Sequence, residues 1–332
     1  MNFIEKQKES ARKLQKVLVL PEGYEPRTLK AARAILDEKL AGEVILLDKN
    51  GAIKEIAAGN GINLDGFTII DPATDSRLDD YTGAYYEMRK HKGISQQDAR
   101  KVMMGNLYFG SMMLHKGHAD ALVAGADHPT SDVLVAGFTI VKTAPDVKYA
   151  SSCFVMDVPN KAMGADGLFI FADCATIPEP TAEQLAEIAI AACESCKAFL
   201  KVEPVCAMLS FSTKGSASHP NVDKVLEALK IVKARRPDLN VDGELQLDAA
   251  VAPDVAAKKA PGSAVAGKAN VLVFPDLQSG NIGYKLVQRF AGGGAYGPFM
   301  QGFAKPLSDL SRGATIEDII NTCATVLSSC KE

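Results

Sequence analysis

Short β-branched runs alternate with amphipathic helical stretches through the first half of this 332-residue chain. KVLVL (16–20) and EVILL (43–47) are typical strand sequences, and the stretch from Pro26 to Lys39 between them is typical of a helix. Strands that alternate with helices form βαβ units, with a parallel sheet and right-handed crossovers. The first half of the chain is therefore predicted to be an α/β domain.

The alternation continues toward the middle of the chain. FTII (67–70) and ALVAGA (121–126) are predicted to be further strands. Between them, Ser95 begins a capping-box-like sequence, which predicts one long helix that ends near Lys116. After ALVAGA, a helix is predicted to run to about Thr143.

The alternation then breaks, because two strand-like runs follow each other without a helix. YASSCFVMDV (149–158) and GLFIFAD (167–173) form a hairpin-like pair, and the change of domain is predicted here. Two domains are the usual outcome for a chain of this length. The later elements are predicted as helices at 181–200, 220–235, 248–259, 281–290 and 316–329, and as strands at 205–211, 241–247, 270–274 and 295–302.

Composition and charge exclude several classes of function. Hydrophobic residues make up 47% of the chain and charged residues 23%, which is ordinary for a globular protein. A net charge of −3 does not favour nucleic acid or an anionic membrane as a partner. We find no apolar run of membrane-spanning length and no signal-peptide pattern at the N-terminus. A cytoplasmic location is expected.

The cysteines and histidines do not predict a metal or redox site. The seven cysteines are an odd number, and a disulfide framework is not expected. Cys193 and Cys196 form a C-x-x-C inside a strongly helical run, where buried structural cysteines are the simpler reading. His115 and His118 lack the further ligands that zinc needs. A dinucleotide-binding G-x-G-x-x-G is also absent.

The segment KPLSDLSRG (305–313) and the helix start after it carry the most chemistry. Arg312 can form a planar fork of hydrogen bonds with a phosphate or a carbonyl. Asp318 can accept a proton, and the Ser311 hydroxyl can donate or accept a hydrogen bond beside it. Asp318 is also three residues after Thr315, a position that favours a carboxylate for helix capping. The trio suits acyl transfer between phosphate and a thiol.

Blocks along nearly the whole chain resemble segments of the phosphotransacetylases, the phosphate acetyl- and butyryltransferases. The blocks, in order, are GADHPTSD (125–132), FADCA (171–175), MLSFSTKGSA (208–217), DGELQLDAA (242–250), KAPGS (259–263), NVLVFPDLQSGNIGYK (270–285) and KPLSDLSRG (305–313). The resemblance implies two α/β domains with an interdomain cleft, similar to isocitrate and isopropylmalate dehydrogenases. It also implies a discontinuous first domain of 1–147 plus 301–332, a second domain of 148–300, and a homodimer.

The resemblance implies reversible transfer of an acetyl group between acetyl phosphate and coenzyme A. Coenzyme A is then a substrate, and no permanently bound cofactor or metal is expected. Asp318 matches the residue that takes the thiol proton, and Arg312 matches the residue that binds the acyl phosphate. Ser311, directly before Arg312, is expected to hydrogen-bond the thiol or to position Asp318. Direct attack of the thiol in a ternary complex is the implied mechanism.

Seven further residues are expected to bind substrate. They are Arg89, Thr130, Ser131, Ser212, Lys214, Tyr284 and Lys285. Thr130 and Ser131 begin a helix after a strand, where backbone N–H groups bind phosphate, and helix capping is their alternative role. The turn that holds Ser212 and Lys214 could cradle a phosphate, although it lacks P-loop spacing. The other three are assigned by resemblance, and a solvated surface position is the alternative for Arg89.

Two positions of the chain depart from the family pattern. Val135 stands where many relatives carry an arginine, and Ala314 stands where several carry a cysteine.

Phosphate butyryltransferase remains an alternative function, because one methylene is worth only about 0.8 kcal/mol in a pocket. A phosphotransacetylase-like module without activity is a second alternative. A decarboxylating dehydrogenase would share the fold, but its metal-binding aspartates and nicotinamide site cannot be assembled from this sequence.

Overall fold

The computed structural model describes residues 2–331 and contains two sets of elements. The strands are β1 Val17–Leu20, β2 Glu43–Leu47, β3 Thr68–Ile70, β4 Ala121–Ala124, β5 Ser151–Asp157, β6 Leu168–Ala172, β7 Val205–Leu209, β8 Asn240–Leu245, β9 Val271–Val273, β10 Gly294–Gln301 and β11 Leu307–Asp309. The helices are α1 Phe3–Leu14, α2 Pro26–Asp37, α3 Ala52–Asn60, α4 Leu78–Arg89, α5 Gln96–Met103, α6 Asn106–Lys116, α7 Thr130–Ala136, α8 Ala182–Ser195, α9 Pro220–Arg235, α10 Leu247–Val251, α11 Pro253–Lys259, α12 Leu277–Phe290 and α13 Ile316–Ser328.

Contacts along the chain define two compact units. The first runs up to Pro145 and resumes at Phe303, and the second is Asp146–Gly302. Whether these units are independent domains with the expected limits, 1–147 plus 301–332 and 148–300, stays a prediction.

The first unit contains a sheet of five strands in the order β11-β4-β1-β2-β3, and every neighbouring pair is parallel. β1 and β4, in the middle, are apolar and almost entirely buried, as expected for a parallel sheet that helices cover on both faces. In β11, Asp309 lies opposite Ala124 at the end of β4. The carboxyl ends of β1, β4 and β11 therefore share one edge of the sheet.

The second unit contains a mixed sheet in the order β10-β5-β6-β9-β7-β8. β5 pairs antiparallel with both β10 and β6, so the predicted hairpin-like pair is confirmed. The remaining neighbours, β6–β9, β9–β7 and β7–β8, are parallel. A buried cluster that includes Phe154, Phe171 and Leu272 gives this unit its own core. With both sheets mainly parallel, the predicted α/β class is confirmed.

Several predicted helices have different limits in the structure. The helix predicted at 181–200 is α-helical only over Ala182–Ser195, and a π-helical turn, Cys196–Leu200, follows it. The helix predicted from Ser95 to Lys116 is two helices, because Gly105 adopts an extended conformation between α5 and α6. The helix predicted at 248–259 is also two, because Pro253 lacks the N–H that would continue α10. α12 starts at Leu277, four residues earlier than predicted, where the Asp276 side chain caps it.

α7 is shorter than predicted. The helix predicted to continue to Thr143 has α-helical geometry only to Ala136, and a π-helical turn, Gly137–Val141, follows it. Within residues 2–331, no helix combines the length and the apolar composition that crossing a membrane requires.

Candidate active site

The KPLSDLSRG motif forms the edge strand β11 and the turn that leads into α13. The N–H of Leu310 donates to the carbonyl of Ala124 at 2.8 Å, which extends the pairing of β11 with β4. Within the turn, the N–H of Gly313 donates to Ser311 Oγ at 3.2 Å, and the N–H of Ala314 donates to the Ser311 carbonyl at 2.8 Å. Ser311 Oγ thus accepts a bond inside the turn and keeps its own proton for another partner.

Arg312 lies at the exposed tip of this turn. In the part of the chain that the structure describes, its guanidinium makes no hydrogen bond, ion pair or ring contact. A guanidinium presents five N–H donors in one plane, which suits a phosphate or a carboxylate. Because none of these donors is used within residues 2–331, Arg312 is available to bind an anionic ligand.

Asp318 caps α13 through one of its two oxygens. Oδ2 accepts from the N–H of Thr315 at 2.9 Å and from the Thr315 hydroxyl at 2.8 Å. In return, the N–H of Asp318 donates to Thr315 Oγ1 at 3.1 Å, which completes a capping box. Among residues 2–331 the second oxygen, Oδ1, accepts no hydrogen bond. The capping role is therefore real, and it leaves one exposed carboxylate oxygen for a proton.

Glu22, just after β1, organises the loop between β4 and α7. Its buried carboxylate accepts four backbone N–H bonds, from Gly125, Ala126, Asp127 and His128, at 2.8–3.1 Å. His128 Nδ1 lies 2.7 Å from the same carboxylate. Burial alone would raise the pKa of Glu22, but the bonds from His128 and the loop amides outweigh it and hold that pKa below its usual value. The same ion pair raises the pKa of His128.

Arg27 lies in the first turn of α2. It connects the loop 125–128 with the motif turn, residues 311–314. Its Nη1 donates to the carbonyls of Arg312 and Ala314, both at 2.8 Å. Its Nη2 donates to the carbonyl of Ala126 at 2.9 Å, and its Nε donates to Glu25 at 2.8 Å. One side chain therefore bonds to two segments that are distant in sequence.

Thr130 and Asp309 join the start of α7 to the end of β11. The Thr130 hydroxyl donates to Asp309 Oδ2 at 2.6 Å, whereas Asp309 Oδ1 is buried and has no hydrogen-bond partner in the described chain. Burial raises the pKa of Asp309 to about 6; the Thr130 bond opposes the rise and the charge of Glu22 adds to it. Ser131, next in sequence, is exposed and donates to Asp132 at 3.3 Å.

Arg89, the last residue of α4, lies near the same region. Burial raises the pKa of Tyr108, and Tyr85 and Asp132 add to the rise while the charge of Arg89 opposes it. Arg89 and Asp132 therefore both lie within electrostatic range of the Tyr108 hydroxyl. Arg89 is partly buried, and its guanidinium has no hydrogen-bond partner in residues 2–331.

Ser212 and Lys214 lie in the second unit, where carboxylates already occupy their donors. The Ser212 hydroxyl donates to the buried Glu244 at 2.8 Å, and the N–H of Gly215 donates to the same oxygen at 2.8 Å. Lys214 Nζ lies 2.6 Å from Asp242. Burial would raise the pKa of Asp242, but the bonds from Lys214 and Ser263 hold it below its usual value. Phosphate binding by this turn stays a prediction, and it would have to compete with Glu244.

Tyr284 and Lys285 lie on α12 in the second unit. The Tyr284 ring stacks on Phe154 with centroids 4.2 Å apart, and burial raises the pKa of its hydroxyl. Lys285 is exposed, and its Nζ donates to Asn281 Oδ1 at 2.7 Å. Their predicted contact with coenzyme A remains untested.

Val135 and Ala314, the two positions that depart from the family pattern, differ in their exposure to solvent. Val135 lies on α7 with about half of its surface exposed (51%), so an apolar side chain faces solvent at this position. Ala314 is buried, and its carbonyl accepts from Arg27. Cys193 and Cys196, also considered above, are buried and free, and burial raises the pKa of the Cys196 thiol to about 12.

The structure groups one subset of the predicted site residues. Ser311, Arg312 and Asp318 lie on one turn and the helix start after it, and Thr130 is bonded to the strand before that turn. Ser212, Lys214, Tyr284 and Lys285 belong to the second unit. Across residues 2–331, no group of three or more His, Cys, Asp or Glu side chains is placed to hold a metal ion.

Sequence reasoning missed Glu22, Arg27 and Asp309. The available signal was their position: Glu22 and Arg27 follow β1, and Asp309 ends β11. Sites of α/β sheets form beyond the carboxyl ends of the strands, so charged residues there merit attention.

Known proteins resemble this chain over nearly its whole length. The sequence profile described as phosphate acetyl/butaryl transferase matches residues 2–327. The phosphate acetyltransferase of Treponema pallidum (strain Nichols) is 54% identical over 330 residues, which is 98% of each chain. That of Thermoanaerobacterium thermosaccharolyticum is 52% identical over 325 residues, again 98% of each.

A solved structure has the same fold. A phosphotransacetylase from Streptococcus pyogenes superposes with a TM-score of 0.92 at 42% identity, covering 98% of this chain and 97% of that one. Together with the full-length profile match, this shows that the chain belongs to the phosphate acetyl/butaryl transferase family.

Proposed function

We propose that this protein is a phosphate acetyltransferase, which interconverts acetyl-CoA plus phosphate with acetyl phosphate plus coenzyme A. The observation that carries the proposal is the unpaired guanidinium of Arg312 on the turn that begins α13, with the free oxygen of Asp318 on the same segment. The names of the most similar relatives agree with it.

Arg312 would bind the acyl phosphate and offset the charge that develops on the carbonyl oxygen. Its five unused donors allow a bidentate contact with phosphate, which a lysine could not reproduce. Electrostatic stabilisation by a positioned donor typically contributes about 10²–10³-fold in rate. Ser311, whose hydroxyl proton is available, would hydrogen-bond the sulfur of coenzyme A or orient Asp318. Arg89, Thr130 and Ser131 stay proposed phosphate-binding residues of the first unit.

The thiol of coenzyme A would attack the carbonyl carbon of acetyl phosphate directly. The C–S bond forms, the bond from carbon to the phosphate oxygen breaks, and phosphate leaves with that electron pair. Asp318 Oδ1 accepts the thiol proton. A free thiol has a pKa of about 8.5 and a free aspartic acid about 3.9, so complete transfer before attack would cost roughly 6 kcal/mol. Proton removal that is concerted with attack avoids this cost.

The remaining assignments are proposals of the same kind. Tyr284 and Lys285 would contact coenzyme A, which is a substrate and not a resident cofactor. Ser212 and Lys214 would bind phosphate in exchange for the hydrogen bonds that Glu244 and Asp242 accept from them. A homodimer and a cytoplasmic location are kept as expectations from the family resemblance and the composition.

Two alternatives make different predictions for one assay. Phosphate butyryltransferase would favour longer acyl phosphates, and a module without activity would turn over none. We would measure thioester formation from coenzyme A with acetyl, propionyl and butyryl phosphate, without added metal or nicotinamide. The proposal predicts the highest kcat/KM with acetyl phosphate. A higher value with butyryl phosphate would favour the first alternative, and no turnover with any of them the second.

A further inference from the structure

The segment 21–27, which is the loop after β1 and the first residues of α2, holds the backbone of the candidate site by two opposite charges. At its start, the Glu22 carboxylate accepts the N–H groups of residues 125–128 at 2.8–3.1 Å. At its end, the Arg27 guanidinium donates to three carbonyls, of Ala126, Arg312 and Ala314, at 2.8–2.9 Å. The negative group thus binds donors and the positive group binds acceptors.

Arg27 is the only link of this kind that reaches the motif turn in the described chain. The carbonyls of Arg312 and Ala314 flank Gly313, an exposed residue in the turn; a Cβ at this position would lie 3.7 Å from Ser311 Oγ. Inside the turn, only the N–H of Gly313 to Ser311 Oγ and the N–H of Ala314 to the Ser311 carbonyl stabilise the backbone. A turn with so few internal bonds depends on an outside group for a single conformation.

We propose that Arg27 is a positioning residue: it fixes the backbone of the Ser311–Arg312 turn against the loop 125–128. It thereby aims the Arg312 guanidinium, whose direction follows from the backbone that carries it. The part of this inference that concerns catalysis rests on the proposed function. The part that concerns the turn itself does not.

The chemistry of the contact requires an arginine. One Nη reaches both carbonyls of the motif turn, while the other Nη reaches Ala126 and Nε reaches Glu25. Four bonds in one plane suit the fixed fork of a guanidinium, whereas a lysine ammonium is a single point with three donors. Arg27→Lys therefore keeps the positive charge and loses the geometry, which separates positioning from a general electrostatic effect.

Arg33 provides a matched control on the same helix. Its Nη1 donates to the Asp65 carbonyl at 2.8 Å and its Nη2 lies 2.6 Å from Asp37. Like Arg27, it joins α2 to a backbone carbonyl and a carboxylate, but it contacts no residue of the motif turn. Arg33→Lys should show how much the replacement of such an arginine changes hydrogen exchange and kcat when the motif turn is not contacted.

Hydrogen exchange measured by mass spectrometry on the full-length protein tests the positioning directly. In Arg27→Lys we expect amides of 312–315 and 125–128 to exchange about tenfold faster than in wild type, while Arg33→Lys leaves both segments unchanged. This readout needs no turnover. Unchanged exchange in both segments of Arg27→Lys would overturn the inference.

Kinetics with acetyl phosphate and coenzyme A test the consequence. Misplacement of a catalytic group by about 1 Å can cost roughly 10²-fold, so we expect kcat of Arg27→Lys to fall at least tenfold. The KM for acetyl phosphate should rise as well, because Arg312 would bind the acyl phosphate, while the KM for coenzyme A should stay within about twofold. Arg33→Lys should keep the wild-type kcat and KM values. An unchanged kcat of Arg27→Lys, with or without a raised KM, would refute the positioning of Arg312 for catalysis.

A lower melting temperature with unchanged kcat would likewise refute it, since the role would then be structural alone. If the wild type showed no transfer activity, the proposed function would fail instead, and the exchange comparison would still decide whether Arg27 holds the turn.

Discussion

Four charged side chains around the motif turn differ in how many hydrogen bonds they make within the protein. Glu22 is fully engaged, Asp318 is engaged through one oxygen, Asp309 accepts one bond from Thr130, and Arg312 is unpaired. Buried groups with complete sets of partners stabilise structure, whereas exposed groups with unused capacity are available to a ligand. The number of hydrogen bonds that each side chain makes within the protein, more than its residue type, distinguishes structural from chemical roles here.

Asp318→Asn should lower kcat by about 10²-fold or more, as the loss of a general base does. The amide keeps an oxygen that can accept from Thr315, so the melting temperature should change little. The comparison is Thr315→Ala, which removes the cap and should cost about 1 kcal/mol of stability with a smaller change in kcat. Steady-state kinetics and thermal unfolding measure both. Near-native turnover of Asp318→Asn would leave only the capping role.

Asp309 should make stability depend on pH. Its pKa in the folded state is raised to about 6, so folding disfavours the ionised form. The stability that the protonated form provides is present below the unfolded pKa of about 3.9 and is lost as pH rises through about 6. The loss is on the order of 3 kcal/mol at most, taking 1.36 kcal/mol per unit.

Urea unfolding of wild type and Asp309→Asn between pH 4 and pH 8 measures this loss. The wild type should lose stability relative to the variant up to about pH 6–7 and run parallel to it above. Groups that do not interact with Asp309 titrate equally in both proteins, so the difference reports Asp309 together with its electrostatic coupling to Glu22. A difference that does not vary with pH would contradict the buried, protonatable carboxyl.

At the level of elements, the site depends on close approach of the ends of β4 and β11. Gly125 follows β4 with φ +113, and a Cβ there would lie 2.4 Å from Asp309 Oδ1 and 2.5 Å from the Leu310 carbonyl. Only glycine permits both the conformation and the approach. A side chain at 125 would push the motif strand away from the loop that Glu22 holds.

Gly125→Ala should therefore destabilise the protein by about 3 kcal/mol or more, through overpacking added to backbone strain, and should abolish most activity. Gly117→Ala is the matched control: its φ is +79, and a Cβ there meets no atom within 4 Å. That variant should cost only the backbone strain, about 1–2 kcal/mol, and keep its kcat. Chemical denaturation and kinetics compare them. Equal losses of stability in the two variants would contradict the close approach of the backbone at residue 125 to β11.

At the scale of the whole molecule, the first unit is built from both ends of the chain. α13 packs against α1 and α2, and β11 forms the edge of the first sheet. Ile319, Cys323 and Leu327 of α13 are fully buried. The second unit, in contrast, is one continuous segment with its own core.

Two fragments should behave differently for this reason. Residues 146–302 alone should unfold cooperatively in urea, because their sheet and core are complete. Residues 1–145 alone should not fold, since they lack β11 and expose the surfaces that α13 covers. Circular dichroism during urea titration measures both. A cooperative fragment 1–145, or a fragment 146–302 without a transition, would refute the predicted domains.

Much of the fold could be predicted from local sequence, and the exceptions have local causes. Hydrophobic periodicity identified most strands of both sheets and the hairpin-like pair. It missed the break at Gly105, because a glycine inside a helical pattern is often tolerated. The start of α12 was missed because Asp276 acts as a cap only in the extended conformation that it adopts in the fold.

The sequence alone determined the α/β class, the family resemblance and the motif with Ser311, Arg312 and Asp318, since periodicity, turn residues and a short contiguous motif are local properties. Only the tertiary structure decided which charges are free and which are used. Glu22 meets residues 125–128 and Arg27 meets 312–314 across more than a hundred and more than 280 positions, respectively. Contacts at such separations depend on how strands are ordered in the sheet, which no local pattern specifies.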